Sequence, residues 1–105
     1  MGLEFRILGP LEVSLDGRAV PLGGKKQRAL LALLLLHANE ALSSDRLIDE
    51  LWGESPPETV TTMLQVYISR LRKALGAERI VTRAPGYLLH VEPGELDLER
   101  FRLAA

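Results

Sequence analysis

The sequence predicts an α+β fold in which a short antiparallel sheet leads into three helices and a β-hairpin follows them. Three observations predict it. Apolar and polar residues alternate near the N-terminus, three central stretches carry apolar residues at helical spacing, and two β-prone runs lie beyond residue 78, with Gly and Pro at most of the boundaries. At 105 residues, 47% hydrophobic and 26% charged, the chain has the size and composition of one globular domain, with no space for a second full one.

Phe5 and Ile7 alternate with Glu4 and Arg6, and Leu11, Val13 and Leu15 alternate with Glu12 and Ser14. Gly9-Pro10 and Asp16-Gly17 supply turns, and Arg18-Ala19-Val20 makes a third short strand. The result is a scaffold sheet with one face to pack. Gly23-Gly24-Lys25-Lys26 lacks the spacing of a phosphate-binding loop and reads as a turn before the first helix, with Lys25 and Arg28 as candidate phosphate contacts.

The first helix, roughly Lys25 to Ala38, presents Leu30, Leu31, Leu34 and Leu35 to the core, and Leu33 and Leu36 widen the stripe enough to predict burial from two sides. The apolar run from Leu30 to Leu36 is far shorter than the roughly 20 residues that span a bilayer, and nothing at the N-terminus resembles a signal peptide, so no membrane partner is expected. A second helix opens at Ser43 or Ser44, directs Leu47, Ile48, Leu51 and Trp52 inward, and stops at Gly53.

A third helix is predicted from Ser55, which caps, through Pro56 at the first helical position and Glu58 in a capping box, to a stop at Gly76. Val60, Leu64, Ile68, Leu71 and Leu75 form its apolar stripe, with Tyr67 beside them. Only Glu54 and Ser55 would then separate the second and third helices, a helix-turn-helix spacing. Arg79–Arg83 and Tyr87–Val91 form a hairpin connected by Ala84-Pro85-Gly86, which completes a winged helix-turn-helix. Pro93-Gly94 then breaks the chain, and Asp97 is expected to cap a last helix carrying Leu98, Phe101 and Leu103. The expected division is therefore residues 1–93 as the winged domain, and residues 94–105 as a linker and the start of a following helical domain.

The outward face of the third helix directs the functional reading. At about 100° per residue, Thr62, Val66, Ser69 and Lys73 lie opposite the apolar stripe, flanked by Thr59, Gln65, Arg70 and Arg72. Its N-terminal half is short and uncharged and its C-terminal half is basic, which suits base edges at one end and phosphates at the other. Val66 fits a thymine methyl. An ordinary surface helix whose basic end complements the macrodipole has the same pattern, and that reading stays open at this point. Arg83, at the hairpin tip, is placed to enter a minor groove narrowed by A·T base pairs.

The net charge of −1 is unevenly distributed: residues 1–56 carry −2, residues 57–91 carry +3 and residues 92–105 carry −2. Positive potential is thus concentrated on the helix and hairpin. There is no cysteine, which removes disulfides and thiolate metal sites and is compatible with a reducing cytoplasm. His37 and His90 have no cysteine or paired carboxylates around them, so no enzyme, metal or cofactor is expected. The competing reading is a winged-helix module that docks or dimerises with protein. The clustering of Arg70, Arg72, Lys73 and Arg83 favours DNA, because docking surfaces more often expose a large aromatic or Met patch.

Four separated stretches carry a family resemblance: Phe5-Arg6-Ile7-Leu8-Gly9-Pro10-Leu11-Glu12-Val13, Leu47-Ile48-Asp49-Glu50-Leu51-Trp52-Gly53, Val66-Tyr67-Ile68-Ser69-Arg70-Leu71-Arg72-Lys73-Ala74-Leu75 and Gly86-Tyr87. Along nearly its whole length the chain resembles the winged-helix domains of AfsR-like, or SARP, regulators of actinobacteria, which are variants of the OmpR/PhoB type. The resemblance implies transcription activation, with the third helix in a major groove, the wing in the adjacent minor groove, and two protomers in tandem on direct repeats near a promoter. RNA polymerase holoenzyme, including its sigma factor, is the second implied partner. The loop from Gly53 to Pro57, with Glu54 and Ser55, is its expected contact.

Matched by position, Arg70 resembles a base-reading arginine, Trp52, Tyr67, Arg72 and Tyr87 resemble phosphate-contacting residues, and Arg83 resembles the wing arginine. Thr62, Met63 and Ser69 depart from the commoner pattern. The base preference of Thr62, Gln65, Val66, Ser69 and Arg70 therefore does not carry over.

Overall fold

The computed structural model describes residues 2–98. Strands β1 (Leu3–Arg6), β2 (Glu12–Leu15) and β3 (Arg18–Ala19) form an antiparallel sheet in that order, with Phe5 opposite Val13 and Leu3 opposite Leu15. Phe5 and Val13 enter the core as expected, but Leu15, at the turn end of β2, remains 43% exposed. Ser14 is buried instead and accepts a hydrogen bond from Arg6 Nη2 at 3.4 Å.

Helix α1 (Lys25–Leu36) buries Gln27, Leu30, Leu31, Leu34 and Leu35. The predicted two-sided stripe is corrected at Leu36, which is 54% exposed. Its azimuth is nearly opposite the centre of the buried set, so no packing partner on that side is needed. A two-residue strand, β4 (Leu42–Ser43), precedes α2 (Ser44–Trp52), and the Ser43 side chain caps α2 by accepting from the Arg46 N–H at 3.1 Å. Leu47 is fully buried, Ile48, Leu51 and Trp52 are half-buried, and Gly53 ends the helix with φ 70°.

Helix α3 (Val60–Leu75) starts later than predicted, with Thr59 as N-cap and no side-chain capping bond. Pro57 disfavours helical geometry in the residue before it, so Pro56 cannot open the helix. The first turn forms downstream, where the Val60 N–H donates to the Pro57 carbonyl at 3.1 Å. The connection between α2 and α3 is consequently seven residues, 53–59, and not two. Val60, expected in the core, is half-buried at the helix start, whereas Leu64, Ile68, Leu71 and Leu75 are buried.

Strands β5 (Ile80–Arg83) and β6 (Gly86–Leu89) form the wing. Gly86 belongs to β6 and not to the connection, which is only Ala84-Pro85. The second sheet has the order β4-β6-β5, with Leu42 opposite Tyr87 and Ser43 opposite Gly86. At Gly86 a Cβ atom would lie 1.8 Å from the Leu42 carbonyl oxygen, so only glycine permits this approach.

After the wing, residues 95–97 stay in contact with β1 and the residues that follow it. The Phe5 N–H donates to the Glu95 carbonyl at 2.7 Å, Phe5 and Leu96 form a parallel bridge, and Leu96 is buried in the same core as α1 and α3. Asp97, expected to cap a helix, is itself helical, and its carboxylate accepts from the Ile7 and Leu8 N–H groups at 2.9 and 3.2 Å. Phe101 and Leu103 of the expected last helix lie outside the described residues. No described helix is long and apolar enough to cross a membrane.

Candidate nucleic-acid interface

The burial of Leu64, Ile68, Leu71 and Leu75 turns the opposite face of α3 outward. Thr62, Gln65, Val66, Ser69, Arg70 and Lys73 are all exposed there, as their phase predicted. Thr62, Met63, Val66, Tyr67 and Arg70 line one shallow groove of about 230 Å³. The groove joins an apolar floor to a guanidinium at its C-terminal end.

Beside it, Trp52 at the end of α2 stacks on Tyr67 of α3, with ring centroids 6.1 Å apart and planes within 11°. Lys26 places its Nζ 5.4 Å from the centroid of the Trp52 ring and donates to the Leu51 carbonyl at 2.7 Å. This contact lies at the α2 C-terminus, where a cation complements the exposed carbonyls. Lys25 is exposed near the same end of α1. Sequence reasoning selected Lys25 and missed Lys26, which lies four residues before the buried Leu30, next to Lys25 in the first turn of α1. Arg28 is exposed and lies toward the first sheet, donating to the Leu11 carbonyl at 2.9 Å.

The wing leaves Arg83 exposed as the last residue of β5, paired with Gly86 across the hairpin. Arg72, expected at a phosphate, is turned toward the wing. Its Nε donates to the Ile80 carbonyl at 2.9 Å and its Nη2 to Thr82 Oγ1 at 2.9 Å. The guanidinium lies 5.9 Å from the centroid of the half-buried Tyr87 ring. At the opposite end of β5, Arg79 makes a bidentate ion pair with Glu95, at 2.5 and 2.8 Å, with both side chains about 15% exposed. The hydrogen bond from Arg79 holds the Glu95 carboxyl below its ordinary value, and the same bond raises the Arg79 guanidinium.

Glu54 and Ser55, expected at a polymerase contact, are exposed in the loop between α2 and α3. His37 approaches Arg46 at 3.4 Å and His90 approaches Glu92 at 2.6 Å. No group of three His, Cys, Asp or Glu side chains suited to a metal ion occurs among the described residues.

Among the described residues, three helices, two small antiparallel sheets and an exposed α3 beside an arginine-bearing hairpin define the class: a winged-helix domain of the OmpR/PhoB type. The chain belongs to the family described as "Transcriptional regulatory protein, C terminal", whose model matches residues 17–89. It is 43% identical over 105 residues to the transcriptional regulatory protein EmbR of Mycobacterium tuberculosis, a match covering 94% of this chain and 27% of that protein. It is 41% identical over 99 residues to the regulatory protein AfsR of Streptomyces coelicolor, covering 93% of this chain and 10% of AfsR. The chain thus spans about a quarter or less of the length of these relatives, which are SARP-type regulators of actinobacteria.

Among solved structures, M. tuberculosis EmbR in complex with a low-affinity phosphopeptide superposes with a TM-score of 0.90 at 40% identity, covering 94% of this chain and 28% of that one. The DNA-binding domain of Klebsiella pneumoniae RstA, in complex with the RstA box, superposes with a TM-score of 0.62 at 33% identity, covering 75% and 82%.

Proposed function

We propose that this domain binds promoter DNA sequence-specifically, with α3 in a major groove and the wing in the adjacent minor groove, and that it activates transcription by recruiting RNA polymerase. The observation that carries the reading is the groove formed by Thr62, Met63, Val66, Tyr67 and Arg70 on the exposed face of α3. It combines methyl-bearing side chains with one fork of hydrogen-bond donors, the chemistry needed to read thymine methyls beside a guanine or phosphate. Gln65 and Ser69 extend the base-reading surface. Trp52, Tyr67, Lys73, Tyr87, Lys25 and Lys26 supply backbone contacts, Arg28 a peripheral one, and Arg83 enters the minor groove.

Two protomers in tandem on direct repeats would repeat this footprint along one face of the duplex. The exposed loop with Glu54 and Ser55 would meet the polymerase, including its sigma factor. The test is fluorescence anisotropy on fragments selected from genomic DNA. Arg70→Ala is expected to weaken binding by about 1–3 kcal/mol and Arg83→Ala to weaken it most on A·T-flanked sites. Unchanged affinity in both variants removes the helix-and-wing reading and leaves a protein-docking module.

A further inference from the structure

We infer that Arg72 is a positioning residue, which latches the wing to α3 and so places Arg83, and not one of the residues that grip phosphate. This rests on the helix-and-wing reading proposed above. The guanidinium contacts both strands of the hairpin. It donates to the backbone of Ile80 and the hydroxyl of Thr82 on β5, both at 2.9 Å, and it lies against the ring of Tyr87 on β6. Thr82 and Tyr87 are cross-strand partners, so a single side chain on the helix touches both strands at one rung of the wing. Arg83 is the next residue after Thr82 and the next rung outward.

The choice of side chain fits this role. Lys73, one position further, offers an exposed charge to a phosphate, whereas the Arg72 donors are already engaged by the hairpin. Two acceptors held at fixed positions, with an aromatic face beside them, require the rigid planar fork of arginine. The root of the wing is separately anchored, by the Arg79–Glu95 ion pair at the start of β5. Arg72 therefore controls the outer part of the hairpin, where Arg83 emerges. Without the latch Arg83 samples more orientations before binding, and the cost of ordering it offsets its contact with DNA.

The test is a double-mutant cycle in the full chain, by fluorescence anisotropy on a selected duplex with A·T-rich flanks. Arg72→Lys keeps the charge and loses the fork. It is expected to weaken binding on the order of tenfold, close to the loss in Arg83→Ala, and to add less than about twofold in the Arg83→Ala background. Thr82→Val removes the acceptor, leaves every charge in place, and is expected to show a smaller loss with the same dependence on Arg83. It decides the matter if Arg72→Lys fails to fold. Parent-like binding of Arg72→Lys and Thr82→Val overturns the inference. So does a loss that multiplies with that of Arg83→Ala, or an Arg72→Ala salt slope shallower by about 1, which marks a phosphate contact. Neutral Arg70→Ala and Arg83→Ala variants would instead remove the helix-and-wing reading itself, and the latch with it.

Discussion

Substituting alanine for Gly86 tests how the wing is seated on the body of the domain. The new Cβ would lie 1.8 Å from the Leu42 carbonyl oxygen and 2.6 Å from Ser43 Cα, both backbone atoms that cannot rotate away. Restoring a tolerable separation of about 3 Å requires β6 to move from β4 by more than 1 Å. That shift disrupts the two-residue β4–β6 ladder and the hydrogen bond from the Ser44 N–H to the Pro85 carbonyl, 3.0 Å long. Overpacking of this kind costs about 1–3 kcal/mol, and each backbone bond lost contributes about 1 kcal/mol more. Gly86 does not have a positive φ, so no backbone strain enters. The unfolded-state effect of Gly→Ala opposes the loss by only about 0.4–1 kcal/mol.

The expected net destabilisation is about 2–4 kcal/mol, or a fall in Tm of roughly 10–25 °C for a domain of this size. Urea denaturation read by far-UV circular dichroism measures it, with Gly9→Ala as the control. Gly9 has neither a positive φ nor an atom within 4 Å of its built Cβ, so that variant should be neutral or slightly more stable. A Gly86→Ala protein within about 0.5 kcal/mol of the parent would refute the steric argument.

The Arg79–Glu95 pair predicts a pH dependence. Because the folded Glu95 carboxyl is held below its ordinary value, its stabilisation is complete above the unfolded pKa and disappears as pH falls through the folded one. Glu95→Gln is expected to cost about 1–3 kcal/mol at pH 7, with the gap to the parent closing below about pH 4 in urea titrations; a gap that stays constant with pH would show that the ion pair is not its source. Replacing thymidines by deoxyuridines across a selected site should reduce affinity through lost contacts with Val66 and Thr62, by about 1 kcal/mol or more in total, and Val66→Ala should remove much of that sensitivity. Equal binding to both duplexes in the parent protein would exclude methyl readout.

Much of this architecture was legible in the residues because local rules and burial agreed. The Leu64–Ile68–Leu71–Leu75 stripe forms a helix whose outward face then follows from phase alone, and Thr62, Val66, Ser69, Arg70 and Lys73 are exposed accordingly. Arg83 sits at the hairpin end for an equally local reason, the turn at Ala84-Pro85. The misplacements also have physical causes. Two capping signals competed at Ser55 to Glu58, and the backbone restriction before Pro57 prevailed over the capping box. The two-residue strand β4 has too little period to register, and it became visible only through the partner that it pairs with, Gly86.

By itself the sequence determined the α+β class, the three helices, the face of α3 that meets solvent and the concentration of positive charge on helix and wing, because these depend on residue order, period and composition. Tertiary structure alone decided what the long side chains do. Lys26 reaches Trp52, Arg79 joins β5 to Glu95, and Arg72 turns from the solvent toward Ile80, Thr82 and Tyr87. A guanidinium at the end of a flexible chain has several acceptors within range of its Cα, and only the three-dimensional placement of the hairpin selects among them.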